Sequence, residues 1–309
     1  MKVMTDIRQT EWERAAVSIG KFEGLHAGHH KLIQKLTAAA GQKGIASVVF
    51  TFDVSPRRFF GYGAGQLFTA KERRSVLESW DLQYLIEYPF TRSFAGMEPE
   101  QFIEEILMEK LHMGYLVVGE NFRFGKERAG DVELLRRYAA EGAFELEVIG
   151  REFVSGEPVS STQVRRELAK GNMERVERML DFPFFVDGEV VEGNHLGRTW
   201  GIPTANLTPS LDKLLPPNGV YFSRVWLEGR MYYGITNIGS KPTVGGCDTT
   251  GIETYLYNYD GNLYGRNIRV ELITYQRPEQ RFDSKDALIE RLRYDVSCGE
   301  AYFRSRTGK

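Results

Sequence analysis

Two hydrophobic rhythms divide this chain. From the N-terminus to about Leu180, short apolar runs alternate with stretches in which apolar residues recur every three or four positions. Ala15–Ile19 and Ile45–Phe52 read as buried strands, the second from its β-branched and aromatic content, and Leu82–Ile86 and Tyr115–Val118 as two more. Between them, His29–Ala40 carries Leu32, Ile33, Leu36 and Ala40 at helical spacing. Thr69, with Glu72 three residues on, opens a second helix through a capping box, and Glu98–Met113 sets Phe102, Ile103, Ile106 and Leu107 on one helical face behind Pro99. Strand and helix in this order predict an α/β fold with a parallel, doubly wound sheet, in which ligands bind beyond the carboxyl ends of the strands.

After Asn172–Leu180, a short helix, the rhythm changes at Asp181–Phe185. Strand-like runs follow at Phe185–Val191, Gly219–Leu227, Met231–Ile238, Ile252–Tyr257 and Ile268–Tyr275, separated by Gly, Pro and Asn turns. They predict a small antiparallel β-barrel, and a last helix from Ser284, with Leu288, Leu292 and Val296 in line, is expected to cover one side of it. The expected domains are residues 1–181 and 182–309.

The chemistry concentrates first at Ser18–Leu36, where three of the chain's five histidines fall: His26, His29 and His30. Gly20 and Gly24 allow tight or left-handed backbone before the helix, and Gly28 at its start lets a ligand approach the free N–H groups. His26 and His29, three apart, can both face a phosphate that the helix dipole also attracts. The pattern G-x-F-E-G-x-H-x-G-H, made by Gly20, Phe22, Glu23, Gly24, His26, Gly28 and His29, resembles the nucleotide-binding signature of the α/β nucleotidyltransferases; neither a Walker loop nor a Rossmann GxGxxG occurs.

Other stretches admit two readings. Asn121, Phe122, Arg123 and Phe124 follow a strand and suit a flat aromatic ligand, or are core aromatics with one surface arginine. Ser160, Ser161 and Thr162, with Arg165, cap a helix that ends before Gly171, and that terminus either takes phosphate or is simply well capped. Gly188, Gly193, Gly197 and Gly201 crowd ahead of Pro203-Thr204-Ala205-Asn206, a tetrapeptide that by itself reads as a turn. Thr204 and Asn206 nevertheless offer the oxygen donors that Mg²⁺ accepts beside phosphates. Glu253, amid apolar neighbours, reads as a surface carboxylate of an alternating strand or as an inward-facing base.

Composition narrows the field. With 42% hydrophobic and 27% charged residues, a net charge of −2 and no basic run, the chain reads as globular, with neither nucleic acid nor membrane as a main partner. Cys247 and Cys298 have no metal-ligand spacing and suit a reducing interior. No apolar signal core or membrane-length run appears, so a cytoplasmic location is expected.

Taken in order, Gly20–His29, VVGENFRFG, SSTQVR, GNHLGRTWGIPTAN, GVY, TNIGSKPT, the Ile252-Glu253 pair and LYG closely resemble the bacterial bifunctional riboflavin kinase/FMN adenylyltransferases, or FAD synthetases. The resemblance implies a Rossmann-like nucleotidyltransferase domain followed by a kinase β-barrel. It implies conversion of riboflavin to FMN and then FAD, each step using ATP and Mg²⁺, by a monomer or weak homo-oligomer. In the first module it implies that His26 and His29 meet the ATP phosphates, Ser160–Arg165 grip the triphosphate, and Asn121, Phe122 and Phe124 hold the flavin. In the second it assigns Thr204 and Asn206 to Mg²⁺ and the ATP phosphates, and Glu253 to the base on the riboflavin 5′-hydroxyl, with Gly193 and Gly197 in the nucleotide cradle.

Three departures stand out: Glu23 where the family usually has Asp, Val54-Ser55-Pro56 where Pro-His-Pro is common, and Asp181 for a glycine. The missing histidine leaves open a slower or altered adenylyltransferase. The alternatives are a chain that keeps only the kinase, with the first domain a flavin or nucleotide binder, a non-catalytic flavin sensor, and an adenylyltransferase for another cofactor.

Overall fold

The computed structural model describes residues 1–8, 10–62, 65–193, 197, 200–241 and 249–307. Cys247, Pro242-Thr243 of the TNIGSKPT run, and Asn194–Leu196 and Arg198-Thr199 of the glycine-rich run lie outside the described residues.

The chain forms two compact units, Met1–Ser161 and Thr162–Lys309. The division falls before the change of rhythm at Asp181, so two short helices ahead of the barrel group with the second unit. In the first unit, strands β1 (Lys2–Met4), β2 (Ala15–Ile19), β3 (Ala46–Phe52), β4 (Tyr84–Tyr88), β5 (Met113–Gly119) and β6 (Glu145–Ile149) make one sheet in the order β1-β4-β3-β2-β5-β6. Every pairing is parallel, as the alternation of strand and helix predicted. Val17, Val48, Phe50, Leu116 and Val118 are fully buried in its middle. A central parallel strand is covered on both faces, which is why these runs carry no polar alternation.

Helix α1 (Ala27–Lys43) buries Ile33, Leu36, Ala39 and Ala40, extending the expected His29–Ala40 by one short step at each end. Helix α2 (Pro56–Phe59) is one turn, capped by the Ser55 side chain, which accepts from Arg58 N at 3.4 Å. Helix α3 (Ala70–Ser79) starts with the reciprocal Thr69 and Glu72 bonds of the capping box. The expected helix from Glu98 begins as a single α-turn and continues as a π-helix over Phe102–Lys110. Its i to i+5 bonding, with Leu111 N donating to Ile106 O at 2.9 Å, brings Leu111 under Ile106, and both are buried with Phe102, Ile103 and Leu107.

A two-stranded antiparallel ladder, β7 (Phe153–Val154) with β8 (Glu157–Pro158), follows β6. In the second unit, β9 (Phe185–Val191), β10 (Thr204–Leu207), β11 (Gly219–Leu227), β12 (Arg230–Lys241), β13 (Thr249–Leu256) and β14 (Asn267–Pro278) close a six-stranded barrel in which every pairing is antiparallel. Thr204–Asn206, a turn by composition, is therefore strand. It pairs with β13 on one side and β9 on the other, and those two ladders outweigh its weak local preference. The closing helix (Lys285–Thr307), with Ser284 Oγ accepting from Ala287 N, packs Phe303 and Tyr302 on Phe222 and Tyr233. Val296 joins that contact, but Leu288 and Leu292 face a cavity.

Candidate functional sites

The first site grows from the carboxyl end of β2. Gly20 N donates to Phe50 O at 3.2 Å, and Thr51 Oγ1 donates to Lys21 O at 3.2 Å, so the loop leaves the sheet in a fixed direction. The positive φ expected of Gly20 and Gly24 falls instead on Phe22 and Leu25, each at 42° and each fully buried. Strain of this kind persists only where surrounding packing enforces it. Gly24 is required for space: a Cβ there would lie 2.4 Å from Ser161 Oγ, so the serine-rich segment abuts the loop.

His26 is the N-cap of α1 without a side-chain cap bond, which leaves the first helical N–H groups available to an anion. The His26 and His29 rings stack at 3.9 Å between centroids, and Phe22 packs on His29 at 5.1 Å. The Nδ1 atoms of both are buried without a hydrogen-bond partner among the described residues. Burial holds His26 down to about 4, and burial together with the neighbouring His26 holds His29 well below 6.5. The pair is thus neutral at pH 7 and unsatisfied, an arrangement that a polyanion would complete.

Beside this loop opens a cavity of about 1320 Å³. Gly20, Asn121, Phe122 and Phe124 line it; His26 and His29 do not. Phe122 and Phe124 stack at 5.3 Å and 16°, and Asn121 Oδ1 accepts from Arg151 Nη2 at 2.8 Å. Residues that carried no signal in the sequence also face it, among them Phe52, Phe59, Phe90, Lys21, Arg57 and Arg128. In the Arg57-Arg58-Phe59-Phe60 run two cations precede two rings, and nothing local says where they point. Ser160 and Ser161 belong to this unit, whereas Thr162 and Arg165, on the first turn of the helix Ser161–Ala169, fall in the second.

The second site is set by strand register. Asn206 of β10 stands directly across from Glu253 of β13, which in turn faces Asn237 of β12. These residues, with Gly197 and Thr204, line a cavity of about 1000 Å³. Glu253 is half-buried and faces that cavity, which decides against a plain surface carboxylate. Gly193 and Gly197 leave the room: a Cβ at Gly193 would lie 2.5 Å from Asn206 Nδ2, and one at Gly197 would lie 2.4 Å from Ile202 O and 3.5 Å from Thr204 Oγ1. Tyr255 and Arg277 also line the cavity. Arg277 is held by Asp295, 1% exposed, which also pairs with Arg291 at 3.3 Å.

Among the described residues no cluster of three His, Cys, Asp or Glu could hold a metal. A hydroxyl and an amide beside a space for phosphates fit Mg²⁺, which is commonly held by few protein ligands and by the substrate. Among the described residues, no helix is long and apolar enough to cross a membrane.

A parallel-sheet unit bearing the HxGH loop and a closed barrel with a hydroxyl, amide and carboxylate site define a two-module nucleotide-handling class. Residues 8–163 match the family model for FAD synthetase, and residues 180–303 the one for riboflavin kinase. The chain is 34% identical over 301 residues to the bifunctional riboflavin kinase/FMN adenylyltransferase of Escherichia coli strain K12, covering 96% of each. It is 33% identical over 295 residues to the protein so named from Buchnera aphidicola subsp. Schizaphis graminum, covering 94% of each. A solved structure titled as a macrolide-efflux protein from Streptococcus pneumoniae superposes with a TM-score of 0.86 at 25% identity, over 97% of this chain and 98% of that one. The chain belongs to the bifunctional riboflavin kinase/FMN adenylyltransferase family.

Proposed function

We propose that this chain phosphorylates riboflavin to FMN in its barrel and adenylylates FMN to FAD, with release of pyrophosphate, in its parallel-sheet unit. The observation that carries the reading is the register that sets Asn206 against Glu253 inside a cavity also lined by Thr204 and Gly197. Glu253 takes the proton of the riboflavin 5′-hydroxyl as that oxygen attacks the γ-phosphorus of ATP and ADP leaves. Thr204 and Asn206 would hold Mg²⁺, which when bound neutralises phosphate charge. The glycines admit the phosphate chain, and positioning with charge neutralisation suffices for phosphoryl transfer.

In the first unit the nucleophile is the phosphate oxygen of FMN, so no protein nucleophile is needed. His26, His29 and the free N–H groups of α1 receive the ATP phosphates, and Ser160 and Ser161, whose segment abuts the loop at Gly24, close on them from the other side. Phe122 and Phe124 present flat faces to the flavin, with Asn121 at their edge. The two activities divide near Asp181, as residues 1–181 and 182–309; the match to the kinase family, which begins at residue 180, supports this.

Incubating the purified chain with riboflavin, ATP and Mg²⁺, and separating flavins over time, tests the reading. FMN followed by FAD is expected. FMN alone would reduce the first unit to a binder, and neither product would overturn the enzymatic reading.

A further inference from the structure

The rim of the flavin-side cavity carries more positive charge than its own structure uses. Lys21, Arg57, Arg92, Arg123, Lys126 and Arg128 all line it, and Glu127 is the one carboxylate among the described lining residues. Two of the cations are already committed, Arg123 to Asp131 at 2.7 Å and Lys126 to Glu98 at 2.8 Å. The side chains of Lys21, Arg57 and Arg128 form no ion pair or hydrogen bond with another described residue. They are also close to one another: Arg128 and Arg57 both push the Lys21 ammonium down, beyond what its burial does, and Glu23 only partly offsets them.

The three arrive on separate elements, and each backbone is fixed. Lys21 is tied by the Thr51 bond to its carbonyl, and Arg57 rides the single turn capped by Ser55. Arg128 sits in the loop after Gly125, where Glu127 and Arg128 adopt φ of 53° and 64°. Two successive non-glycine residues in the left-handed region are costly and persist where packing enforces them, here the wrapping of Gly125 and Gly130 on Pro99. Three like charges converging, with Glu23 only a partial offset, at the edge of a cavity walled by Phe52, Phe90 and Phe122, describe the complement of a flat ring that carries a dianion.

We propose that Lys21, Arg57 and Arg128 form a phosphate clamp that selects phosphorylated flavin over riboflavin in the first unit. The proposal deepens the functional reading and rests on it. It also gives the Val54-Ser55-Pro56 departure a use, since Ser55 caps and Pro56 starts the turn that carries Arg57.

The test is steady-state FAD synthesis by full-length Arg57→Gln and Arg128→Gln, varying FMN at saturating ATP and ATP at saturating FMN. KM for FMN is expected to rise roughly five- to tenfold in each, with KM for ATP and the riboflavin kinase rate unchanged. Arg57→Lys and Arg128→Lys are expected to restore most of the affinity. A rise in KM for ATP instead, or no change in either constant, overturns the clamp. Should the wild-type chain form no FAD, the functional reading fails while the clamp is still read by equilibrium dialysis. There the Gln variants are expected to lose affinity for FMN and keep that for riboflavin; equal loss for both flavins, or none for either, overturns the clamp.

Discussion

The two units solve the same problem, handling ATP next to a flavin, with opposite geometry. In the parallel-sheet unit, loops at strand ends gather the site: the HxGH loop, the Asn121–Arg128 loop and the turn at Pro56 come from distant segments and meet beyond the sheet. In the barrel, the ladder itself delivers the site, because closing β9, β10 and β13 side by side leaves Asn206 no neighbour but Glu253 on one flank. The charge differs as well. The first unit offers unsatisfied neutral histidines and uncommitted cations, whereas the second offers oxygen donors and a carboxylate. An anion would complete the first on its own, whereas the oxygen donors of the second suit a cation rather than a bare phosphate.

The sharpest way to break the comparison is to loosen the barrel. Asp295 is a buried charge holding Arg277, itself a cavity residue, and Arg291. Asp295→Ala leaves half-buried Arg277 without its carboxylate partner and is expected to cost about 3 kcal/mol, seen as an earlier thermal transition of the second unit with that of the first unmoved. Loss of both transitions together would show that the units are not separate in stability. Gly197→Ala comes next. Its Cβ would press on Ile202 O, so the turn must shift, at a cost of about 1–3 kcal/mol. Kinase turnover is expected to fall roughly tenfold or more while FAD formation from supplied FMN holds, and an unchanged kinase would remove Gly197 from the cradle.

The smallest effect belongs to the histidines of the first unit. Both have folded pKa values below the ordinary 6.5, so below pH 6.5 the unfolded chain binds protons that the folded chain refuses. Their contribution is complete above pH 6.5 and is lost as pH falls towards 4, where His26 titrates. For rings that are only half-buried, this amounts to about 1 kcal/mol. Chemical denaturation at pH 7 and pH 5 should show that loss in the wild type and a smaller one in a His26→Gln/His29→Gln chain; identical losses would mean the rings are solvated.

How much of this was legible beforehand follows the same divide. The parallel order, the capping box at Thr69 and the histidine loop lie in local sequence, where periodicity and spacing carry information. The Thr204–Asn206 strand and the inward face of Glu253 do not, because register across a barrel is fixed by partners distant in sequence, Val191 and Glu253 flanking Asn206, and Asn206 and Asn237 flanking Glu253. The left-handed residues were misplaced for a related reason. Glycine marks where such a conformation is cheap, but packing put it on Phe22 and Leu25 and used Gly24 for its missing Cβ. Nothing in the sequence singles out Lys21, Arg57 and Arg128, and only the fold brings them to one rim.

The claim that the two sites run separate reactions is tested most directly by a crossed assay of Glu253→Gln and His29→Gln. The account predicts that Glu253→Gln loses roughly 10²–10⁴-fold in FMN formation yet makes FAD from supplied FMN at the wild-type rate, and that His29→Gln does the reverse. Loss of both activities in either variant, with the fold intact by circular dichroism, would contradict it.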